Sequence, residues 1–268
     1  MSAINTNLAS LNAQRNLMSS ESSLNTSIQR LSSGLRVNSA KDDAAGLSIA
    51  TKMDSQIRGM SQATRNANDG ISMSQTADGG LATAVDALQR MRELAVQGAN
   101  GTVGTADAAN LDKEFQALAT EIGRIATDTK FNGKAILSGT ATTDIQVGAD
   151  SGQKITIAAS DLAGTSVAGS VTNAAGATAA LGTIDAALAT INTMRADLGA
   201  SQNRLGFAVS NLQSSVENQS AAKSRIMDTD FASETAKLTR GQILQQAGTA
   251  MLAQANSAPN GVMALLRG

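Results

Sequence analysis

The chain has 268 residues, of which 42% are apolar, 16% charged and 1% aromatic, and its formal net charge is −1. The absence of His and Cys removes imidazole acid/base chemistry, thiol nucleophiles, disulfides and the usual ligands of zinc and copper. A near-neutral charge, with four Phe as the only aromatic residues, also disfavours binding to nucleic acids. The composition therefore points away from ordinary enzymes and predicts neither a metal nor a cofactor.

The beginning of the chain does not have the pattern of a membrane-targeting segment. Met1–Asn7 includes neither a basic region nor a continuous apolar stretch, so it does not resemble a standard secretory signal. No window contains the roughly 18 consecutive apolar residues that a membrane-spanning helix needs. We therefore expect a soluble chain that does not enter a membrane.

The N-terminal segment has apolar residues at helical spacing but almost no charge. Arg15 and Glu21 are the only charged residues between positions 1 and 29. A solvated surface helix normally has a charged face, so this segment is predicted to pack against other helices. The apolar residues that would form the packing face are Ile4, Leu8, Leu11, Leu17, Leu24, Ile28 and Leu31.

A much longer helix is predicted from about residue 44 to 97. Beginning at Met53, a register of 3 and 4 residues is kept as far as Ala95, which is the pattern of a coiled-coil seam. A helix of this length would extend about 80 Å at ~1.5 Å per residue, which exceeds the diameter of a compact domain of this size. The sequence therefore predicts a mainly α fold, an elongated antiparallel coiled coil or helical-bundle rod. Asp42 or Asp43 is placed to cap the start of this helix.

The middle of the chain has a different residue pattern from the long helical segments on either side. One more helix is predicted at about 107–126 because its apolar residues share one face. Alternating residues on both sides of a turn then predict a small β-hairpin near 142–158. From Leu162 to Ile184 there is no charge and Gly, Ala, Ser and Thr dominate, so a short variable loop is predicted near 159–180.

The second half repeats the pattern of the first. A seam of 3 and 4 residues extends from Leu181 to Ile226, and a nearly uncharged helical segment follows from Gly241 to Gly268. Helices of about 30 residues without partners are marginal in water. We therefore expect both ends to be disordered or loosely helical in the free monomer and to gain order by packing with other copies. The apolar residues of the C-terminal segment are Leu244, Met251, Leu252, Leu265 and Leu266.

Several motifs make the sequence recognisable. Residues 30–47, RLSSGLRVNSAKDDAAGL, closely resemble the N-terminal signature of bacterial flagellin, and residues 65–72, 89–97 and 131–133 continue that resemblance in register. Residues 244–256, LQQAGTAMLAQAN, resemble the flagellin tail. The matches cover roughly 1–137 and 180–268, and the variable outer domains of large flagellins are absent. The chain is thus similar to a short flagellin.

The resemblance implies a layered fold and a function in assembly. Residues 1–40 and 230–268 would form an inner-tube coiled coil, and residues 41–229 would form an outer-tube domain of three long helices with the hairpin. The expected function is that of a structural subunit, not an enzyme, which self-assembles into the helical filament of the bacterial flagellum outside the cell. Contacts that do not close into a ring generate such an open helix.

The resemblance also implies partners. Besides many copies of itself, these are an export chaperone that grips the C-terminal segment, a filament cap and hook-junction proteins, with export through a type III-like apparatus. The contact with the Toll-like flagellin receptor of hosts would involve Gln89, Arg90, Leu94 and Glu114. Leu265 and Leu266 match the leucines that a cytosolic inflammasome sensor recognises. No nucleic acid or membrane partner is implied.

Two alternatives were weighed against this interpretation. A hook–filament junction protein shares the terminal helices and the layered plan, but the close match at both ends favours flagellin. Some flagellins contain a metalloprotease insert with a His-Glu-x-x-His motif, and a chain without His cannot form one.

Overall fold

The computed structural model describes residues 6–139, 142–158, 160–165 and 167–265, with side chains as far as residue 257. Helices dominate this part of the chain, and the β structure is limited to two small antiparallel hairpins. The predicted mainly α fold with a small β-hairpin is confirmed. The helices are α1 (Leu8–Ser33), α2 (Ala44–Gly98), α3 (Thr105–Asp128), α4 (Ala174–Met227) and α5 (Phe231–Leu265). The strands are β1 (Lys130–Phe131), β2 (Lys134–Ala135), β3 (Thr143–Gln146) and β4 (Lys154–Ile157).

Local sequence signals explain where α1 ends and α2 begins. Gly34 follows α1 with a φ of 71°, a left-handed conformation that glycine adopts without a steric penalty, and its N–H donates to the Arg30 carbonyl. The Asp43 side chain accepts a 2.8 Å hydrogen bond from the Gly46 N–H, so Asp43 is the N-cap of α2. Asp42 instead accepts from the N–H groups of Asn38 and Ser39 and orders the connection between the two helices.

Contacts divide the chain into two compact units. Unit 1 comprises residues 1–55 and 218–268, and unit 2 comprises residues 56–217. The limits of these units fall inside α2 and α4. The domain boundaries at 40–41 and 229–230, which follow helix ends, stay a prediction.

The core of unit 2 contains α2, α3, α4 and the second hairpin. One heptad series of α2 is buried, and a matching series of α4 is buried with it, as coiled-coil packing requires. Polar residues in the predicted seams make ion pairs between the two helices: Arg195 with Asp78 at 2.7 Å, and Arg92 with Asp185 at 2.8 Å. The pairs show that α2 and α4 are antiparallel in this unit. Members of the core are Leu81, Leu88, Met91, Phe115, Ile184, Ile191, Leu198 and Leu205.

Two features differ from the sequence prediction. The β1–β2 hairpin was not predicted, and it turns at Asn132 and Gly133, whose φ angles of 49° and 78° suit a tight hairpin turn. The predicted loop near 159–180 ends earlier, because α4 begins at Ala174. Asn173 caps that end by accepting a 2.7 Å hydrogen bond from the Gly176 N–H, and the alanines that follow favour a helix.

Among the described helices, α4 is long and apolar enough to cross a membrane, by length and composition alone. An 18-residue window of α4 has a mean hydropathy of 1.4. A core helix of a soluble protein can have the same composition, and α4 supplies Ile184, Ile191 and Leu198 to the core of unit 2. This window is therefore weak evidence for a membrane span.

Candidate self-assembly interface

The two terminal helices, α1 and α5, pair antiparallel in unit 1. At one end Leu35 and Asp228 form an isolated antiparallel β-bridge, and the Thr229 N–H donates to the Gly34 carbonyl at 3.0 Å. Toward the other end Asn7 Nδ2 donates to the Ala255 carbonyl at 2.8 Å. Hydrogen bonds therefore fix both ends of the pair.

Leucine side chains of α1 pack against glycines of α5 along the seam between the two helices. A Cβ atom built on Gly241 would lie 3.1 Å from Cδ1 and 3.4 Å from Cβ of Leu24, and one built on Gly248 would lie 3.1 Å from Cδ1 of Leu17. Both approaches are tighter than ordinary van der Waals contact. A side chain at either glycine would require the facing leucine to move by a few tenths of an ångström, so the glycines allow the close approach of the two helices.

A buried carboxylate interrupts this apolar seam. Glu234 is 3% exposed, and it accepts hydrogen bonds from Ser27 Oγ at 2.7 Å and from Lys237 Nζ at 3.0 Å. Burial opposes ionisation, but these hydrogen bonds and the positive charges of Lys237 and Arg30 outweigh it. The pKa of Glu234 is therefore lowered below its ordinary value.

The outward faces of the pair carry large exposed apolar side chains. On α1 these include Leu11 and Met18, seven residues apart and 48% and 69% exposed. On α5 they include Leu244 and Met251, again seven residues apart and 49% and 65% exposed. No charged residue lies between positions 241 and 257. On α1, the exposed Arg15 lies between the two apolar members. Exposed apolar residues with heptad spacing are the surface that a further helix would cover. The other exposed members are Leu8, Ile28, Phe231 and Ile243.

The predicted polymerisation residues fall into two groups in the structure. Leu17, Leu24, Leu31 and Leu252 are half-buried. Leu8, Leu11, Ile28, Leu244 and Met251 remain exposed and form the outward surface. Ile4 and Leu266 lie outside the described residues, and Leu265 is described in its backbone alone.

Sequence reasoning missed three exposed residues of this surface, which are Met18, Phe231 and Ile243. Met18 follows Leu11 by one heptad, so the spacing itself was a usable signal. Phe231 lies at the start of α5 and Ile243 is next to Leu244, and neither continues the apolar series from which the seam was predicted. Only their exposure in the structure identifies them.

The residues expected at a host receptor contact lie together on unit 2. Arg90 Nε donates to Glu114 at 2.9 Å, and Arg90 Nη1 donates to Glu93 at the same distance. These side chains are about half exposed or more, and Gln89 is exposed as well. Leu94 differs because it is 1% exposed and belongs to the core of unit 2, so its side chain does not lie on the surface of the folded unit.

Comparisons with known proteins agree with the arrangement of paired terminal helices. Residues 4–142 match the bacterial flagellin N-terminal helical region, and residues 181–266 match the bacterial flagellin C-terminal helical region. The chain belongs to the bacterial flagellin family. It is therefore related to the structural subunits of the flagellar filament, and a helical polymer is the expected assembly.

Individual flagellins match over nearly the whole chain. A flagellin of Halalkalibacterium halodurans is 46% identical over 270 residues, covering 98% of this chain and 99% of the relative. A flagellin of Xenorhabdus nematophila is 44% identical and covers 99% of each. The crystal structure of Bacillus cereus flagellin, 36% identical, superposes with a TM-score of 0.52 over 59% of this chain and 94% of that one. The similarity to the first two extends over the full length of relatively short flagellins.

Proposed function

We propose that this flagellin polymerises through the outward apolar surface of the α1–α5 pair, which neighbouring copies cover in the filament. The observation that carries the proposal is the pair of exposed heptad stripes, Leu11 with Met18 on α1 and Leu244 with Met251 on a stretch of α5 without charged residues. Apolar surface of this kind is unfavourable in water, and burying it is worth about 25 cal/mol per Å². The α1–α5 pair, whose long helices are marginal in water without further partners, would gain additional order when copies pack together.

Assembly by this route is open-ended. The α1 stripe and the α5 stripe differ in sequence, so a contact between them joins different surfaces of successive copies. Such heterologous contacts give a helical polymer when the rotation between copies does not close. We propose an outer-tube domain built from the hairpins and the three central helices, a structural role without catalysis, and a location in the extracellular filament.

Polymerisation in the presence of filament seeds tests the proposed surface. Met251→Asp and Met18→Asp each place a charge where a neighbour would pack, and a buried unpaired charge is strongly unfavourable. We expect each substitution to raise the critical concentration at least about tenfold, equivalent to 1.4 kcal/mol. Sedimentation measures the polymer, and circular dichroism checks that the soluble chain keeps its helix content.

Gln246→Asp is the matched control. Gln246 is exposed on α5 and lies outside the apolar stripes. This variant is expected to keep the critical concentration of the original chain within about twofold, since a solvated surface charge has little energetic effect. Equal impairment by Gln246→Asp, or normal pelleting of both methionine variants, would exclude this surface as the contact.

We also propose the partners that the family resemblance implies. These are an export chaperone for the C-terminal segment, a filament cap, hook-junction proteins and host receptors. Exposure of Gln89, Arg90 and Glu114 on unit 2 supports a receptor contact there. A receptor-reporter assay with Arg90→Ala tests it: at least about a tenfold loss of potency, the size of a 1.4 kcal/mol contact, is expected. An unchanged dose response would remove Arg90 from the contact.

A further inference from the structure

Three asparagines of the chain are followed directly by glycine. Asparagine is a chemically labile residue, and it loses its side-chain ammonia most readily before glycine, because the glycine nitrogen attacks the amide carbon and has no neighbouring side chain to shield it. The structure places the three pairs in different surroundings, which are the connection between α2 and α3 for Asn100-Gly101, the turn of the β1–β2 hairpin for Asn132-Gly133, and the interior of α5 for Asn260-Gly261.

The connection between α2 and α3 leaves the first pair open to water. Asn100 and Gly101 are both exposed, and a Cβ atom built on Gly101 would meet nothing within 4 Å. The Asn100 N–H donates to the Gln97 carbonyl at 3.2 Å, and the Val103 N–H donates to the Asn100 carbonyl at 3.1 Å. Among the residues that the structure describes, no hydrogen bond engages the Gly101 N–H. The nitrogen that would attack is therefore accessible.

The Asn100 side chain is folded back over its own backbone. Its Oδ1 atom accepts a hydrogen bond from the Thr102 N–H at 3.3 Å, in the arrangement of an Asx-turn. This oxygen gains negative charge when the Gly101 nitrogen bonds to the amide carbon, and an N–H group already directed at it stabilises that charge. The connection thus combines a nucleophile, its target and a donor to the developing oxyanion.

The hairpin places the second pair in the opposite situation. Asn132 is also exposed, but it has a φ of 49° and Gly133 has a φ of 78°, as in a tight turn, which the pairing of Phe131 with Lys134 closes. Closure of the succinimide ring requires a negative ψ at the asparagine, whereas a left-handed residue has a positive ψ. The hairpin must therefore open before Asn132 can react.

We propose that Asn100 is a site of spontaneous deamidation in the folded protein and that the hairpin protects Asn132. The Gly101 nitrogen bonds to Cγ of Asn100, the bond from Cγ to Nδ2 breaks, and Nδ2 leaves as ammonia with the proton that the Gly101 nitrogen gives up. Water then opens the succinimide at either carbonyl. The product is aspartate or isoaspartate at position 100, with one additional negative charge.

Isoaspartate would also rearrange the connection itself. In that product Oδ1 of the former Asn100 belongs to the main chain, and the former main-chain carbonyl becomes a carboxylate. The N–H groups of Thr102 and Val103 donate to these two oxygens in the folded chain. Both hydrogen bonds therefore change their acceptors when the main chain is rerouted.

Peptide mapping of the soluble full-length chain tests the proposal. After incubation at mildly alkaline pH, mass spectrometry measures deamidation at each site, and enzymatic methylation of isoaspartate identifies that product. We expect Asn100 to react at least about tenfold faster than Asn132, equivalent to an opening cost of about 1.36 kcal/mol for the hairpin turn. In concentrated urea the two rates should become similar, since both sites are then asparagine before glycine in an open chain.

Gly101→Ala tests the attacking nitrogen. Gly101 is not among the glycines with a positive φ, so alanine fits there without backbone strain, and its methyl group shields the nitrogen. We expect deamidation at Asn100 to slow at least about tenfold, a barrier increase of about 1.36 kcal/mol, with the rate at Asn132 unchanged. Gly123→Ala is the matched control, because a Cβ atom there also meets nothing within 4 Å and lies outside the connection. It should leave both rates unchanged.

Three outcomes would overturn the proposal. The first is an equal rate at Asn100 and Asn132 in the folded chain. The second is an Asn100 that stays intact in the folded chain while it reacts in urea. The third is an unchanged rate at Asn100 in Gly101→Ala, which would show that water, and not the glycine nitrogen, displaces the ammonia.

Discussion

At the scale of single residues, Glu234 links the pairing of α1 and α5 to pH. Hydrogen bonds from Ser27 and Lys237, with nearby positive charge, lower its pKa in the folded state despite burial. A carboxylate with a lowered pKa stabilises the folded state above its unfolded pKa, and this contribution is lost as pH falls through the folded pKa. The terminal pair should therefore weaken in acid.

Replacing Glu234 with Gln tests this dependence. The variant should melt at a lower temperature than the original chain at neutral pH, and the difference should shrink as the pH falls below the ordinary pKa of a glutamate and the carboxylate becomes protonated. Circular dichroism melts at several pH values measure it. Glu21→Gln, at an exposed position of α1, provides the comparison and should follow the original curve. A difference that stays constant with pH would contradict an ionised Glu234.

Two adjacent glycines of α2 make a second prediction at this scale. A Cβ on Gly79 would meet nothing within 4 Å, whereas a Cβ on Gly80 would lie 2.7 Å from Cδ1 of Leu137 and 3.0 Å from Oγ1 of Thr129. Gly79→Ala should therefore stabilise unit 2 by about 0.5–1 kcal/mol through helix propensity. Gly80→Ala gains the same propensity but clashes, so it should be less stable than Gly79→Ala by at least about 1 kcal/mol. Urea unfolding measures both, and equal stabilities would contradict the close packing at Gly80.

At the scale of elements, the long helices could be predicted and the short strands could not. The 3 and 4 spacing places α2 at about 44–97, close to the observed Ala44–Gly98. The β1 and β2 strands have two residues each, too few to show a period, and their signal was the Asn132-Gly133 turn alone. A long helix repeats its spacing of apolar residues many times, whereas a strand of two residues is too short to show a repeat.

The sequence predicts which segments form the candidate interface. It does not tell which apolar residues face the partner helix of the same chain and which face outward. Leu17 and Leu11 both fit a helical apolar pattern, yet one is half-buried and the other is largely exposed. Spacing identifies apolar stripes without telling which stripe meets the partner helix of the same chain. The burial of Glu234 was also beyond prediction, because Ser27 is 207 residues away in the sequence.

The start of α4 gives a prediction for a helix cap. Asn173→Ala removes the side-chain acceptor of the Gly176 N–H, and loss of such a cap costs about 1 kcal/mol. Thermal unfolding should show this loss, with faster amide exchange in the first turn of α4. Asn173→Asp keeps an acceptor oxygen and should retain most of the stability. Unchanged exchange in Asn173→Ala would mean that the alanines alone hold the turn.

At the scale of the whole molecule, folding and polymerisation are expected to be separable. The buried residues of the unit 2 core lie wholly between Ala67 and Leu205, so that core needs no residue of α1 or α5. Residues 41–229 alone should therefore form a soluble, helical protein. The same fragment lacks the exposed stripes of α1 and α5, so it should not join filament seeds.

Sedimentation after seeding and circular dichroism measure the two properties independently. A chain that lacks only residues 1–40 is an informative comparison, because it keeps α5 while removing the leucines that pack on Gly241 and Gly248. Exposure of that seam favours nonspecific association, so this chain should be less soluble than the fragment 41–229. Pelleting of the fragment at the yield of the full chain would show that polymerisation does not need the terminal helices. Loss of helix from residues 56–217 would show that unit 2 depends on them to fold.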